Sequence, residues 1–175
     1  MTGSDGRALV FVGPMGSGKT SIGRRVARQL GLPFADTDKL IAAEHGPIPG
    51  IFAEHGEDRF RAIERDVVRA ALASGGVVAL GGGAVLDAGT RDDLGAHRVV
   101  LLTVDARTVS RRIRDGNRPL VAGANPVESW SRIAQERRPL YEEVADVVFD
   151  TSRGPLQGVV DAVVAWAIDK DKERP

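Results

Sequence analysis

The sequence predicts a three-layer α/β/α fold, in which helices cover both faces of a five-stranded parallel sheet. Short apolar runs alternate along the chain with amphipathic stretches of helical spacing. Each run is apolar on both faces, which is typical of parallel strands that are buried on both sides. The length of 175 residues fits a single domain with one sizeable core, which we expect to span about residues 7–168.

The predicted elements alternate between strand and helix in chain order. The run ALVFVG at residues 8–13 is the first strand, and a helical pattern follows over about 18–30. A second strand in PFADTD ends near Asp36, and a long helical pattern begins after Glu57. We expect the C-terminal residues 169–175 to be frayed. The remaining predicted elements are strands at residues 77–80, 98–104 and 146–150 and a covering helix that includes residues 159–168.

The composition indicates a soluble protein of the cytoplasm, which we expect to be a monomer. Lys+Arg and Asp+Glu number 24 each, so the balance of charge favours neither nucleic acid nor an anionic membrane as a partner. The chain contains no cysteine, which excludes disulfides and thiolate metal sites and fits a reducing compartment. No apolar run approaches the length of a signal peptide core or a membrane span.

The stretch GPMGSGKTS, at residues 13–21, predicts a loop that binds phosphate. Gly13, Gly18, Lys19 and Thr20 match the pattern G-x-x-x-x-G-K-[ST] between a predicted strand and a predicted helix. Glycines allow successive backbone N–H groups to point at phosphate oxygens, and the helix N-terminus adds its positive dipole. Lys19 can reach the β- and γ-phosphates of a nucleotide, and the Thr20 hydroxyl can ligate magnesium. This context disfavours the alternative, a purely structural glycine turn.

Two aspartates in the stretch DTD follow the second predicted strand. Asp36 and Asp38 lie at the carboxyl end of that strand, which is the sheet edge where ligands bind in open parallel sheets. Their spacing of two residues can aim both side chains to one side of an extended segment, one toward a metal and one toward an acceptor hydroxyl. The alternative is that Asp36, Thr37 or Asp38 caps the following helix, and the two roles are compatible.

Most basic residues are arginines, which recognise carboxylate and phosphate groups through two parallel hydrogen bonds. Arg61, Arg65 and Arg69 form an i, i+4 stripe, and a solvated, salt-bridged helix face accounts for Arg65 and Arg69. A positive charge on a closing loop suits a transferring phosphoryl group, although most loop arginines fit a solvated surface as well. Six further arginines lie near predicted loops or helix ends. Four of them lead into a polar glycine-rich loop (Arg111, Arg112, Arg114 and Arg118), and two lie near a helix end predicted at Pro139 (Arg137 and Arg138).

Three consecutive glycines follow the third predicted strand directly. Gly81, Gly82 and Gly83 either let the backbone approach a ligand closely or form a tight turn. The histidines and large aromatic residues give no comparable signal: the histidines lack the spacing of zinc ligands, and the aromatic residues fit helix packing better than base stacking. These residues are His45, His55 and His97, and Trp130, Tyr141 and Trp166.

Six sequence blocks, taken in order, resemble the shikimate kinase family. They are GPMGSGKTSIGRRVA, DTD, FRAIE, ALGGGAV, NRPL and ERRPLYEEVAD, and the similarity runs over about residues 7–165. The resemblance implies a phosphate-loop kinase of the fold of nucleoside monophosphate kinases. It also implies two mobile segments, a shikimate-binding segment at about residues 36–64 and a lid at about 112–126. The implied reaction transfers the γ-phosphate of ATP to the 3-hydroxyl of shikimate, on the pathway to chorismate and the aromatic amino acids.

The resemblance also implies roles for particular residues. Asp38 would hold the acceptor hydroxyls, and Asp36 would lie near Mg²⁺ with Thr20 as its direct ligand. The implied catalytic residues are Lys19, Asp38 and the lid arginine Arg118. The implied shikimate-binding residues are Asp38, Arg61, Gly81, Gly82, Gly83 and Arg137. The implied ATP-binding residues are Gly13, Gly16, Ser17, Gly18, Lys19, Thr20, Ser21, Arg111, Arg112, Arg118, Arg153 and Pro155, with Arg111 and Arg112 as alternatives beside adenine.

The chain departs from the family pattern between Ile41 and Phe52. The stretch GPIPGIF is one residue shorter than usual and contains Pro47 and Pro49, which should stiffen this segment and remove N–H donors. The lid is also about one residue short. Two other functions fit the phosphate loop alone: a kinase similar to gluconate kinase, and a nucleotide-dependent switch with no small-molecule acceptor.

Overall fold

The computed structural model describes residues 6–115 and 125–172. Its strands are β1 (Leu9–Val12), β2 (Phe34–Asp36), β3 (Val77–Ala79), β4 (Arg98–Thr103) and β5 (Val147–Asp150). Its helices are α1 (Lys19–Leu30), α2 (Thr37–His45), α3 (Ile48–Ser74), α4 (Ala88–Leu94), α5 (Ala106–Asp115), α6 (Pro126–Val144) and α7 (Leu156–Lys172), with a short 3₁₀ turn at Ala84–Leu86. Within these two ranges, no helix combines the length and the apolar character that crossing a membrane requires.

The five strands form one parallel sheet in the order β2-β3-β1-β4-β5, as the fold class predicts. At the centre, Leu9 of β1 pairs with Val77 of β3 on one side and with Arg98 of β4 on the other. The chain leaves β1 toward β2 and leaves β3 toward β4, on opposite sides of the sheet. Such a reversal opens a crevice outside the carboxyl ends of the two strands. The phosphate loop and the glycine triplet both begin at this crevice.

Two apolar clusters hold helices against the two faces of the sheet. Successive side chains of a strand point to opposite faces, so Leu9 and Phe11 pack with α1 and α7, whereas Val10 and Val12 pack with α3, α4 and α6. All four side chains are buried. Because β1 is buried on both faces, its sequence is a continuous apolar run, as the fold class predicts.

Helix α3 begins at Ile48, but its long segment begins at about Glu57, beyond a kink, as the sequence predicts. Pro47 is the residue that precedes the helix, and Pro49 lies in its first turn, where a missing N–H breaks no helical hydrogen bond. The helix kinks at Gly56, which has a φ of 79°. The two prolines therefore start a short helical segment, and the glycine separates it from the long one.

Two predicted chain features near the C-terminus are wrong. Helix α6 continues through Pro139 to Val144, and α7 continues to Lys172, so residues 169–172 are not frayed. Asp171 accepts a hydrogen bond of 2.8 Å from Arg98, the first residue of β4, which fixes the end of α7 to the sheet. In both helices, contacts with the rest of the molecule override the local preference, which is for a helix end at proline and for fraying near a chain terminus.

Candidate active site

The phosphate loop connects β1 to α1, as predicted. At Gly13, which has a φ of 144°, a β-carbon would lie 2.3 Å from the Leu102 carbonyl oxygen, so only glycine fits there. The Lys19 ammonium lies over the loop and donates hydrogen bonds of 2.8 and 3.0 Å to the carbonyls of Gly13 and Pro14. Strand, loop and helix thus bring the lysine and the backbone amides of the loop together at the crevice.

Thr20 and Asp36, the two residues predicted near magnesium, contact each other directly. The Thr20 hydroxyl donates a 2.7 Å hydrogen bond to Asp36 Oδ2. The other oxygen of Asp36 accepts a 3.2 Å hydrogen bond from the backbone N–H of Lys39 and caps α2. Asp36 therefore caps α2, which confirms the capping interpretation, and its contact with Thr20 at the phosphate loop leaves the predicted metal role compatible with the cap.

The glycine triplet (Gly81, Gly82 and Gly83) is the surface on which the predicted acceptor-binding side chains meet. A β-carbon at Gly81 would lie 2.5 Å from Asp38 Oδ1, and one at Gly83 would lie 2.5 Å from both terminal nitrogens of Arg61. Substitution at either position would therefore push side chains out of the site. The triplet also turns the chain, since Ala84 donates its N–H to the Gly81 carbonyl.

Gly82 joins this surface to the phosphate loop. A β-carbon at Gly82 would lie 3.6 Å from the Gly13 carbonyl oxygen, 3.7 Å from the Met15 backbone nitrogen and 3.7 Å from Arg137 Nη1. The backbone of Gly82 therefore forms a wall that the loop for phosphate and the pocket with Asp38, Arg61 and Arg137 share. We call this second region the acceptor pocket.

Tyr141 holds the triplet in place from the same helix that supplies Arg137. Its hydroxyl donates a 2.6 Å hydrogen bond to the Gly82 carbonyl, and its ring is buried in the core. Burial raises the pKa of the Tyr141 hydroxyl, and the neighbouring Arg137 opposes that shift. The sequence interpretation of Tyr141 as a packing residue is correct but incomplete, because the hydroxyl also positions the site.

Glu64 is a residue of the pocket that the sequence analysis did not single out. Its carboxylate is buried and accepts a 2.7 Å hydrogen bond from Arg61 Nη1. Burial raises the pKa of Glu64, Arg61 opposes this shift, and the nearby Asp38 adds to it. The block FRAIE contains a signal for this pair: Arg61 and Glu64 are three residues apart, and residues at that spacing on a helix are neighbours that can form an ion pair.

The predicted adenine-binding residues lie around an open cavity of about 380 Å³ beside the phosphate loop. It is lined by Thr108, Arg111, Arg112, Thr151, Ser152 and Gly154. Arg112 Nη2 donates a 2.7 Å hydrogen bond to the Thr151 carbonyl, whereas Arg111 is exposed. Arg153 and Pro155 flank Gly154 and are also exposed. Arg118, the predicted lid arginine, lies outside the described residues, as does most of the predicted lid.

Arg65 and Arg138 show two different outcomes for arginines on helix faces. Arg65 is not solvated: its guanidinium donates a 2.7 Å hydrogen bond to Asp93 and lies 3.3 Å from Asp87, which fastens α4 to α3. Arg138 is exposed and pairs with Glu142 one turn later on α6. Neither side chain contributes to the acceptor pocket.

The fold and the site together define a phosphate-loop kinase with a separate pocket for a small acceptor. The family model for shikimate kinase matches residues 15–167. The chain is 47% identical over 162 residues to a shikimate kinase of Streptomyces avermitilis, covering 89% of this chain and 94% of that protein. It is 46% identical over 160 residues to that of Mycobacterium avium, with coverage of 89% and 90%. The chain therefore belongs to the shikimate kinase family.

Solved structures agree with this assignment. The shikimate kinase of Acinetobacter baumannii, in complex with shikimate, superposes with a TM-score of 0.86 at 34% identity, covering 94% of each chain. The enzyme of Bacteroides thetaiotaomicron superposes with a TM-score of 0.83 at 27% identity, covering 92% of this chain and 98% of that one. A gluconokinase from Sinorhizobium meliloti shares the fold, with a TM-score of 0.66 at 23% identity, covering 95% and 94%.

Proposed function

We propose that this shikimate kinase transfers the γ-phosphate of ATP to the 3-hydroxyl of shikimate through the residues assembled at the crevice, giving shikimate 3-phosphate and ADP. The observation that carries the proposal is the wall formed by Gly82, against which both the phosphate loop and the acceptor pocket lie. Atoms of the phosphate loop and of Arg137 lie within 3.7 Å of one point beside Gly82, so groups bound to them are close enough for direct transfer, which depends mainly on positioning and on charge stabilisation.

On the nucleotide side, the backbone amides of the phosphate loop and the N-terminus of α1 bind the phosphates. Lys19 provides positive charge where negative charge gathers on the β- and γ-phosphates. Arg111 and Arg112 line the cavity proposed for adenine, and Arg153 and Pro155 flank Gly154 of its lining.

Thr20 and Asp36 fit a site for Mg²⁺, because their adjacent hydroxyl and carboxylate oxygens are the hard ligands that this ion prefers. When bound, the ion neutralises phosphate charge. Among the residues 6–115 and 125–172, no cluster of three His, Asp or Glu side chains suited to a metal is present. A two-residue site therefore fits an ion that shares its ligands with the nucleotide, as is common for Mg²⁺.

On the acceptor side, Arg61 and Arg137 bind the carboxylate of shikimate across the glycine triplet. Arg61 is well suited to this role, because its terminal nitrogens lie beside Gly83 and a guanidinium can bind a carboxylate through two parallel hydrogen bonds. Asp38, at the opposite end of the triplet, orients the acceptor hydroxyl and accepts its proton as transfer proceeds. Glu64 holds the Arg61 guanidinium in position. Arg118 would add charge stabilisation by analogy with the family.

We further propose that the enzyme acts as a monomer in the cytoplasm. The absence of cysteine fits a reducing compartment.

A coupled assay of ADP release tests the acceptor. With MgATP held constant, shikimate, gluconate and a nucleoside monophosphate are compared at equal concentrations. We expect acceleration by shikimate only. Acceleration by gluconate would identify a different acceptor, and slow hydrolysis that no metabolite accelerates would identify a nucleotide switch.

A further inference from the structure

Five consecutive carbonyl groups of the phosphate loop accept hydrogen bonds from side chains. Lys19, which belongs to the loop motif itself, donates to the first two, those of Gly13 and Pro14. The remaining three are held by side chains from distant parts of the sequence. Trp130 Nε1 donates to the Met15 carbonyl at 2.8 Å, the Arg112 guanidinium donates to that of Gly16, and the Thr151 hydroxyl donates to that of Ser17 at 2.8 Å.

The three distant donors come from three different elements. Trp130 lies on α6, Arg112 on α5, and Thr151 in the segment that follows β5. Trp130 and Thr151 are only 7% and 1% exposed, so their donor groups are fixed by packing. Arg112 also donates to the Thr151 carbonyl, which links two of the three donors.

Holding these carbonyls orients the amides that would bind phosphate. In a trans peptide unit, the C=O of one residue and the N–H of the next lie in one plane and point in opposite directions. Fixing the carbonyls of residues 15 and 17 therefore fixes the N–H groups of Gly16 and Gly18 on the opposite side of their peptide planes, while the Ser17 N–H donates a 3.2 Å hydrogen bond to the Pro14 carbonyl and closes the loop. Donors that are oriented before the anion arrives bind it with a smaller loss of conformational freedom.

We propose that Trp130, Arg112 and Thr151 are positioning residues that preorganise the phosphate loop for the nucleotide. Trp130 gives the clearest case, because it was interpreted as a packing residue and borders neither the cavity proposed for adenine nor the glycine triplet. Its hydrogen bond connects the loop to α6, the helix that also carries Arg137 and Tyr141. This inference rests on the proposed function, since it concerns the same phosphate loop.

The test replaces Trp130 by Phe, which retains a large aromatic ring and removes the N–H donor. Trp166→Phe, on the outer helix α7, is the matched control. Calorimetric titration with ADP and, separately, with shikimate measures both affinities for each variant, and thermal unfolding checks folding. We expect Trp130→Phe to weaken ADP binding about fivefold, in line with the loss of one hydrogen bond, and to leave shikimate affinity unchanged. Trp166→Phe should change neither affinity.

A second variant, Thr151→Val, preserves shape and removes the hydroxyl that donates to Ser17. It should produce the same selective loss of ADP affinity; because Thr151 also borders the cavity proposed for adenine, the amide spectra of the loop decide whether that loss comes from the loop. In amide NMR spectra, both variants should shift the signals of Gly16, Ser17 and Gly18, which a distant packing defect would leave in place. Unchanged ADP affinity in the folded variants, or equal losses for ADP and shikimate, would overturn the inference.

Failure of the inference and failure of the proposed function are distinguishable. Wild-type protein that binds ADP but shows no shikimate-dependent ADP release would contradict the proposed acceptor, while a selective loss of ADP affinity in the variants would still support the positioning role. Normal shikimate kinase activity with normal ADP affinity in both variants would contradict only the positioning role.

Discussion

Arg61 lies in the acceptor pocket with a buried counter-ion of its own. Glu64 accepts a 2.7 Å hydrogen bond from the guanidinium, and Glu57 lies 3.4 Å from its other terminal nitrogen. A buried arginine without such partners would be costly. The two carboxylates therefore fix the Arg61 guanidinium in one orientation at the glycine triplet.

Asp38 is the residue on which the proposed proton transfer depends. Asp38→Asn keeps the shape of the side chain and removes its ability to accept a proton. We expect the turnover rate for shikimate-dependent ADP release to fall by a factor of at least about 100, the lower end of the usual contribution of a general base. Asp58→Asn, at an exposed position of α3, is the matched control and should keep wild-type turnover. Near-normal turnover of Asp38→Asn would exclude the proposed role.

Arg61 and Arg137 are expected to contribute mainly to binding of the shikimate carboxylate. Removing one charged hydrogen-bonding partner should weaken shikimate binding about tenfold or more in Arg61→Ala and in Arg137→Ala. ADP affinity should stay within about twofold of wild type, because neither side chain is assigned to the nucleotide. Titration calorimetry with each ligand measures both effects, with Arg69→Ala as a control on the exposed face of α3. Unchanged shikimate affinity in both variants would refute the carboxylate clamp.

At the scale of elements, apolar runs predicted all five strands, but helix boundaries were predicted less well. A strand buried on both faces has a simple sequence signal, because every position must be apolar. The short helical segment of α3 before Gly56 and the continuation of α6 through Pro139 do not follow from the local pattern, since proline is by itself unfavourable inside a helix. In α6, packing of Tyr141 and its hydrogen bond to Gly82 stabilise the turn that follows the proline.

Arg65 provides a test of how α4 is fastened to α3. Arg65→Met removes the hydrogen bond to Asp93 and the ion pair with Asp87, and should lower the free energy of unfolding by about 1.5 kcal/mol. Arg69→Met, one turn later on the same helix and exposed, should change it by less than about 0.5 kcal/mol. Urea unfolding followed by circular dichroism compares the two variants. Equal effects would mean that Arg65 is as solvated as the sequence analysis expected.

His97 makes the association of β1 and β4 sensitive to pH. Its Nδ1 accepts a 3.0 Å hydrogen bond from the Ala8 N–H, which requires the neutral imidazole. Burial lowers the pKa of His97, Asp93 opposes this shift, and Arg7 adds to it. The unfolded chain therefore takes up the proton first as pH falls below the ordinary histidine pKa of about 6.5, and stability decreases from there down to the folded-state pKa.

The prediction is that wild type loses more thermal stability between pH 7.5 and pH 5, a range chosen to span about 6.5, than His97→Asn does. Asparagine offers an uncharged acceptor at this position and does not titrate. Differential scanning calorimetry at several pH values measures the difference. Parallel pH profiles for the two proteins would show that His97 does not contribute to the pH dependence.

At the scale of the whole molecule, the sequence indicated the residues of the candidate site but not the hydrogen bonds that connect them. The phosphate loop, the aspartates and the glycine triplet are recognisable because each follows a strand. The contacts that organise them, such as Trp130 with Met15 and Thr151 with Ser17, join residues more than 100 positions apart. No local pattern records such pairs, because they depend on the order of the strands in the sheet. The shared wall at Gly82 likewise depends on the pairing of β1 with β3, which brings the glycine triplet next to the phosphate loop.

The most direct test of the account is the fate of the transferred phosphate. Purified protein with MgATP and shikimate is followed by ³¹P NMR, and the product is isolated for assignment of the phosphorylated carbon. The account predicts a phosphate monoester on the 3-oxygen of shikimate, formed in equal amount to ADP and with little inorganic phosphate. ADP accompanied by inorganic phosphate alone, or an ester at another hydroxyl, would contradict the arrangement of the acceptor pocket beside the phosphate loop at Gly82.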